Sequence, residues 1–145
     1  MLKLLSNLDL ANRFDKVATA GIIASGVTGT WVTLNSSDEF DLPAASNRLA
    51  FPVWTESNRN GTVGFTPDVS TTGQLTALDG YFRAITDQVY DYASMAQGDL
   101  LKVTTAGKLT KTTAAEDAVA VVVRKVDSIT VLGHAYTNCI EFTTK

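Results

Sequence analysis

The sequence has few of the residue types that enzymes and metal proteins use at their reactive sites. Its 145 residues include one cysteine (Cys139), one histidine (His134) and three prolines. A lone cysteine excludes an intramolecular disulfide and an all-cysteine metal site, because both require more than one thiol. The chain also lacks a Gly-x-Ser-x-Gly segment, the turn that presents a serine nucleophile in many hydrolases. We therefore predict no catalytic residue, no metal ligand and no cofactor.

Charge is scarce as well. Asp, Glu, Lys and Arg make up 19% of the chain, and the formal net charge is −3 at pH 7. Soluble domains usually carry about 25% charged residues, so part of this surface is expected to face other protein. Binding to phosphate needs clustered Lys and Arg, and Arg124-Lys125 is the only adjacent basic pair. We predict no nucleic-acid partner.

Long apolar runs are missing too. No stretch approaches the roughly 20 apolar residues of a membrane helix. Residues 1–10 place leucines after a lysine, but Ser6, Asn7 and Asp9 interrupt any signal-peptide core. We expect no membrane contact and a soluble protein that is made in the cytoplasm.

The chain divides into two parts of different composition. Residues 1–29 are leucine-rich and then punctuated by Gly21, Gly26 and Gly29, which speaks against a long regular element. We predict an extended or partly helical N-terminal arm over residues 1–29, with little core of its own, and a β-domain over 30–145. The residues expected to contact a partner are large apolar side chains of both parts: Leu2, Leu4, Leu5, Leu8, Phe14, Ile22, Ile23, Trp31 and Trp54.

From residue 30 onward the patterns are typical of strands. Residues 31–34 and 49–54 are rich in aromatic and β-branched residues, and Pro52 places the second run at a sheet edge or strand break. Asp79-Gly80 between two such runs predicts a hairpin, and Thr105-Ala-Gly107 predicts another. Alternating apolar residues around 133–138 predict a third. The fold is expected to be mainly β, a small antiparallel barrel or sandwich built of hairpins.

Two segments give less uniform patterns. Residues 118–123 are apolar on both faces, which is typical of a strand that is covered on both sides, so the second face needs a partner. Residues 87–97 fit either a short helix or a loop.

Three groups of residues have the composition of possible sites, and each favours an ordinary structural role. His134 and Cys139 are interpreted as a loop histidine and a small buried hydrophobe. Asp38, Glu39 and Asp41 do not match the spacing of a calcium loop and are expected to form a solvated loop. The two tryptophans and four tyrosines have the chemistry of a sugar-binding platform, but aromatic residues in strands are more often core or interface.

Two segments of the second half of the chain carry a family resemblance. In residues 98–109 Gly-Asp precedes a strand and Gly-Lys closes a tight turn, and residues 118–123 form an apolar run. These segments resemble capsid decoration (cement) proteins of tailed bacteriophages. Residues 56–62 and 64–69 also resemble small virion structural proteins. The resemblance covers roughly residues 55–145, and the first 50 residues match no family that we can name.

This resemblance implies a non-enzymatic β-domain, commonly a homotrimer, that sits on the outer surface of an icosahedral shell. Its partners would be the major capsid protein and further copies of itself. The alternatives are a component of a phage tail, connector or spike, or a carbohydrate-binding module. Deleting residues 1–20 is expected to leave a folded domain that no longer binds shells, if the arm is the contact element.

Overall fold

The structure is a computed structural model, and it describes residues 1–5, 11–25, 29–44, 49–54, 73–131 and 133–145. The helical elements there are α1 (Ala20–Ser25) and 3-10 turns at Tyr92–Ser94 and Ala115–Asp117. The strands, in chain order, are β1 (Leu2–Leu4), β2 (Ala11–Val17), β3 (Trp31–Leu34), β4 (Phe40–Asp41), β5 (Phe51–Pro52), β6 (Gln74–Gly80), β7 (Arg83–Thr86), β8 (Leu100–Val103), β9 (Leu109–Thr112), β10 (Ala120–Val131) and β11 (His134–Thr144).

The strands form one large sheet and two small ones. The large sheet has six strands in the order β1-β7-β11-β10-β8-β9, and the small sheets pair β2 with β6 and arrange β4-β3-β5. Neighbouring strands run antiparallel in every ladder of these sheets. The fold is therefore mainly β and antiparallel, as predicted. It is consistent with a small sandwich and not with a closed barrel, since β1 and β9 end the large sheet.

The main core lies between the inner face of the large sheet and the small sheets. Trp31 of β3 packs against Phe142 of β11 with ring centroids 6.0 Å apart, and Phe82 packs against the same ring at 6.1 Å. A second cluster fills the space around the small sheets, where Phe14 contacts Phe40 and Phe51 edge-on. The buried residues of this second cluster are Ala18, Ile22, Val32, Phe40, Val53, Leu75 and Ala77.

Two of the three predicted hairpins are confirmed. β8 pairs with β9 across the turn that ends at Gly107, whose φ is +69°. A Cβ there would lie 2.7 Å from the Trp31 carbonyl oxygen, so glycine is required where this turn meets β3. β10 pairs with β11 from Ala120↔Thr144 to Val131↔His134. His134 therefore lies in a strand, and the expectation of a longer loop there was wrong.

The hairpin predicted at Asp79-Gly80 does not form. The pair does turn the chain, because Gly80 has φ +97°, but β6 pairs with β2 whereas β7 pairs with β1 and β11. The chain changes sheets at this turn. Local sequence marks the turn correctly and says nothing about which strands it joins.

The described part of residues 1–29 does not form a separate arm. β1 is hydrogen-bonded to β7 at the edge of the large sheet, β2 pairs with β6 over its whole length, and Ile22 of α1 is fully buried. The leucines and glycines of this segment suggested an element without a core, because the strand partners of β2 lie 57 to 69 residues away in sequence.

The structure also agrees with the predictions for β3, for Pro52 and for residues 87–97. β3 and β5 pair antiparallel, and Pro52 lies on the edge strand of its sheet, as its missing N–H requires. Residues 87–97 form a loop with one 3-10 turn, which was one of the two open alternatives.

Candidate functional site

The strongest candidate site is the face of the large sheet that points away from the main core. Strand residues alternate between faces, so the neighbours of the core residues Ala84, Val122 and Phe142 point outward. We call this surface the outer face. It includes Lys3, Arg83, Ile85, Leu100, Lys102, Val121, Arg124, Glu141 and Thr143.

A carboxylate between two arginines lies at the centre of the outer face. The side chain of Glu141 is 2% exposed, whereas those of Arg83 and Arg124 are 51% and 62% exposed. One oxygen of Glu141 accepts hydrogen bonds from Arg83, and the other accepts one from Arg124 Nε at 2.6 Å. A buried carboxylate needs such partners, since an unpaired one would be strongly destabilising.

Sheet register explains why these three side chains meet. Arg124 lies directly opposite Glu141 across β10 and β11, and Arg83 lies one diagonal step away on β7. No sequence pattern predicted this group. The one signal available in the sequence was Glu141, a charged residue between the apolar Ile140 and Phe142.

The outer face is locally basic on an acidic chain. Lys3, Arg83, Lys102 and Arg124 supply four positive charges against the one negative charge of Glu141. The remainder of the chain must therefore carry the excess negative charge that gives −3 overall. Such a separation favours contact with an acidic surface over nonspecific association.

Beside the charged row lies an apolar one. Val121 pairs with Thr143 on one side and with Leu100 on the other, and all three side chains are half-buried. This is the second face of the 118–123 strand. The inward face, with Ala120 and Val122, is fully buried as predicted.

The nine residues predicted to contact a partner do not form one surface. Leu2, Ile22, Trp31 and Trp54 are buried within the chain itself, so their expected exposure to a partner was wrong. Leu4 and Phe14 are half-buried against the two cores, and Leu5 is 43% exposed. Leu8 and the side chain of Ile23 lie outside the described residues.

His134 and Cys139 make no nucleophilic pair. Both lie on β11, where His134 is exposed and Cys139 is fully buried, as predicted for the thiol. Burial, and secondarily the charge of Asp87, raises the pKa of Cys139 to about 11. The thiolate that a nucleophile requires is therefore scarce near neutral pH.

The acidic loop is a structured turn. The Asn35 side-chain oxygen accepts hydrogen bonds from the backbone of Ser37 and Glu39, and Asp38 pairs with Lys16. Asp41 accepts a hydrogen bond from the Thr19 hydroxyl at 3.0 Å. Across the described residues, no group of three or more His, Cys, Asp or Glu side chains is arranged to hold a metal ion.

A sugar-binding platform of the six aromatic residues does not form. Trp31 and Trp54 are 1% and 7% exposed and belong to the main core. Tyr81 and Tyr90 are exposed, at 62% and 64%.

No helix among the described residues is long and apolar enough to cross a membrane. A scan against protein-family models finds no match to this chain, and a search of curated proteins finds no matching sequence.

Proposed function

We propose that this chain is a non-enzymatic structural protein of a tailed-phage virion that decorates the outside of an icosahedral capsid. In this function it binds the major capsid protein, associates as a homotrimer and holds neighbouring capsid subunits together. The observation that carries the proposal is the outer face, where half-buried Val121 and Leu100 lie beside the exposed Arg83 and Arg124.

The chemistry of this face suits a protein partner. Protein interfaces contain both apolar and polar side chains and are enriched in arginine, and the outer face has an apolar row beside its two arginines. Glu141 holds both guanidinium groups in place before a partner arrives, which lowers the ordering cost of binding. The partner that fits is an acidic patch on a capsid subunit.

The resemblance to decoration proteins rests on segments that belong to this sheet. Residues 98–109 include β8 and the turn to β9, and residues 118–123 begin β10. These strands are adjacent in the sheet and supply Leu100 and Val121 to the outer face. A trimer would present several such faces to a shell, and multivalency would raise the affinity of weak individual contacts.

The test is cosedimentation of the purified chain with purified capsid shells. Arg124→Gln removes one cation of the outer face and is expected to weaken shell binding about tenfold, the effect of about 1.4 kcal/mol. Lys108→Gln, at the exposed β8–β9 turn, is the matched control and should bind normally. Equal binding by both variants would contradict the use of the outer face.

The copy number in purified particles separates this function from its alternatives. A copy number that scales with the capsid subunits supports decoration, whereas one small ring per particle supports a tail, connector or spike component. Native mass spectrometry of the free chain tests the trimer. A glycan array with binding, alongside absent shell binding, would instead support a carbohydrate-binding module.

A further inference from the structure

Asp79-Gly80 is the only place in the sequence where an aspartate precedes a glycine. The pair ends β6, at the turn where the chain passes from a small sheet to the large one. Both residues and the following Tyr81 are exposed, and Gly80 has φ +97°. The carboxyl group of one residue and the backbone amide of the next therefore lie together in contact with solvent.

The Gly80 amide points at the carboxyl group of Asp79. Its N–H donates a hydrogen bond to Asp79 Oδ1 at 2.7 Å. Since a carbon–oxygen bond measures about 1.2 Å, Asp79 Cγ lies within about 4 Å of the Gly80 nitrogen. A bond between these two atoms would close a five-membered imide ring. Only a small further approach reaches the separation of about 3–3.5 Å from which such bonds form.

A second aspartate with the same contact shows what is particular to Asp79. The Leu42 amide donates to Asp41 Oδ1 at 2.8 Å, so the two reacting groups are equally close there. The leucine side chain, however, crowds the nitrogen that would attack, and the Thr19 hydroxyl also holds the Asp41 carboxylate, at 3.0 Å. Glycine has no side chain to hinder the approach, and its backbone adopts conformations that other residues avoid. Asp79 therefore combines the close contact with an unhindered nitrogen.

We propose that Asp79-Gly80 is a site of self-modification, at which aspartate converts to isoaspartate through a cyclic imide. The Gly80 nitrogen attacks Cγ of the protonated Asp79 carboxyl group and forms a nitrogen–carbon bond. One carboxyl oxygen leaves as water, together with the carboxyl proton and the amide proton. A water molecule then opens the imide. Cleavage of the original main-chain bond to the Gly80 nitrogen leaves isoaspartate, and cleavage of the new bond restores aspartate, so the final mass is unchanged.

Isoaspartate adds one carbon to the main chain at the end of β6. Asp79 lies opposite Asn12 in the pairing of β2 with β6, and Gly80 forms the last pair of that ladder. An added main-chain carbon shifts these pairs out of register. The modified chain is therefore expected to unfold at a lower urea concentration than the original chain. The reaction needs no partner, so it is independent of the proposed function.

The test is incubation of the purified, folded chain for several weeks at neutral pH and physiological temperature. The chain is then digested, and electron-transfer fragmentation, which gives distinct fragments for isoaspartate, measures the isomer at each aspartate. We expect at least about tenfold more isoaspartate at Asp79 than at Asp41, because the contacts are equal and only Gly80 leaves its nitrogen unhindered. Deamidation at Asn60-Gly61 is recognised separately, since it changes the mass of the peptide.

Two variants of Asp79 provide the controls. Asp79→Glu keeps the charge, but its imide ring would have six members, so isomerisation at this position should fall at least about tenfold. Asp79→Asn closes the same five-membered ring and releases ammonia. It should form isoaspartate about tenfold faster, because the neutral amide needs no prior protonation. Since the side chain is exposed, both variants are expected to fold.

Three results would overturn the proposal. Equal isoaspartate at Asp41 and Asp79 would mean that the unhindered glycine nitrogen is not what directs the reaction. An unchanged amount of isomer in Asp79→Glu would place the modification at another residue. No isoaspartate at Asp79 in the native chain, whether or not the chain unfolded in guanidinium chloride forms it, would show that the fold blocks closure of the ring.

Discussion

The N-terminal segment and the far end of the β10–β11 hairpin differ in how each is held in the fold. Residues 1–5 and 11–25 were expected to form an arm, yet Met1, Leu2 and Ile22 are 3%, 1% and 0% exposed. The end of the hairpin, residues 126–131 and 134–139, was expected to lie within the β-domain. Among the described residues, these two strand ends pair only with each other. We call them the ribbon.

Strand length explains the ribbon. β10 and β11 have 12 and 11 residues, whereas their sheet neighbours β8 and β7 have four each. The excess length has no further strand to pair with in the described chain. Tyr92 anchors it near its base: the hydroxyl donates to Asp127 at 2.7 Å, and burial followed by this hydrogen bond raises the pKa of Tyr92 to about 12.

Distant partners explain the N-terminal segment. Leu2 lies opposite Thr86, and the Met1 ammonium group pairs with Asp87 at 2.5 Å. Met1 also packs with Ile85 and Cys139 in a small cluster on the other side of the sheet. An apolar segment without a regular local pattern can therefore belong to the core, because it can pair with a strand far along the chain.

Removing core contacts from the N-terminal segment gives the largest expected effect. Leu2→Ala should lower the free energy of unfolding by about 2–5 kcal/mol, because Leu2 is buried in the main core. The matched control Leu5→Ala, at a side chain that is 43% exposed, should change it by about 0.5 kcal/mol or less. Urea unfolding measures both. A similarly small loss of unfolding free energy for both variants would mean that the N-terminal segment is an arm outside the core.

The second largest expected loss of stability comes from removing the ion pair between the N-terminal ammonium group and Asp87. Asp87→Asn should cost about 1–3 kcal/mol, since it leaves a buried charged donor with a weaker acceptor. Asp91→Asn is the control, because Asp91 is exposed and its φ of +60° suits asparagine. Thermal unfolding of the two variants measures the difference, and equal midpoints would mean that the ion pair adds nothing.

Shortening the ribbon should have a smaller effect. Replacing residues 129–136 by Asn-Gly joins Ser128 to Thr137, which are already opposite each other. We expect a loss of about 1 kcal/mol, because the half-buried Ile129, Val131 and Tyr136 are removed. Unfolding of the shortened chain in urea tests this. A loss as large as that of Leu2→Ala would show that the ribbon is part of the core.

The smallest expected effect on stability is the ionisation of Cys139, which lies at the base of the ribbon. Burial raises the Cys139 pKa from 9.0 to about 11, so the stabilising contribution is complete below pH 9 and is lost as pH rises through 11. The native thiol should therefore resist iodoacetamide at pH 8 and react only toward pH 11 or on unfolding. Ala135→Cys in a Cys139→Ala chain supplies an exposed ribbon thiol as control. Equal alkylation rates would contradict the burial of Cys139.

Local chemistry predicted many elements. Aromatic and β-branched runs located β3 and β5, Pro52 marked an edge, and Thr105-Ala-Gly107 marked the β8–β9 turn. The outer face was predicted only in part. The two-faced apolar strand indicated Val121, but Arg83 and Glu141 are 58 residues apart and gave no pattern together.

The sequence by itself therefore determined the fold class, most turns and the position of one apolar strand, because these depend on neighbouring residues. Tertiary structure alone decided that β6 pairs with β2, that β1 forms one edge of the large sheet, and that Glu141 lies between two arginines. The physical reason is that pairing and burial are relations between distant segments, and hydrophobic stabilisation is indifferent to which apolar residues meet.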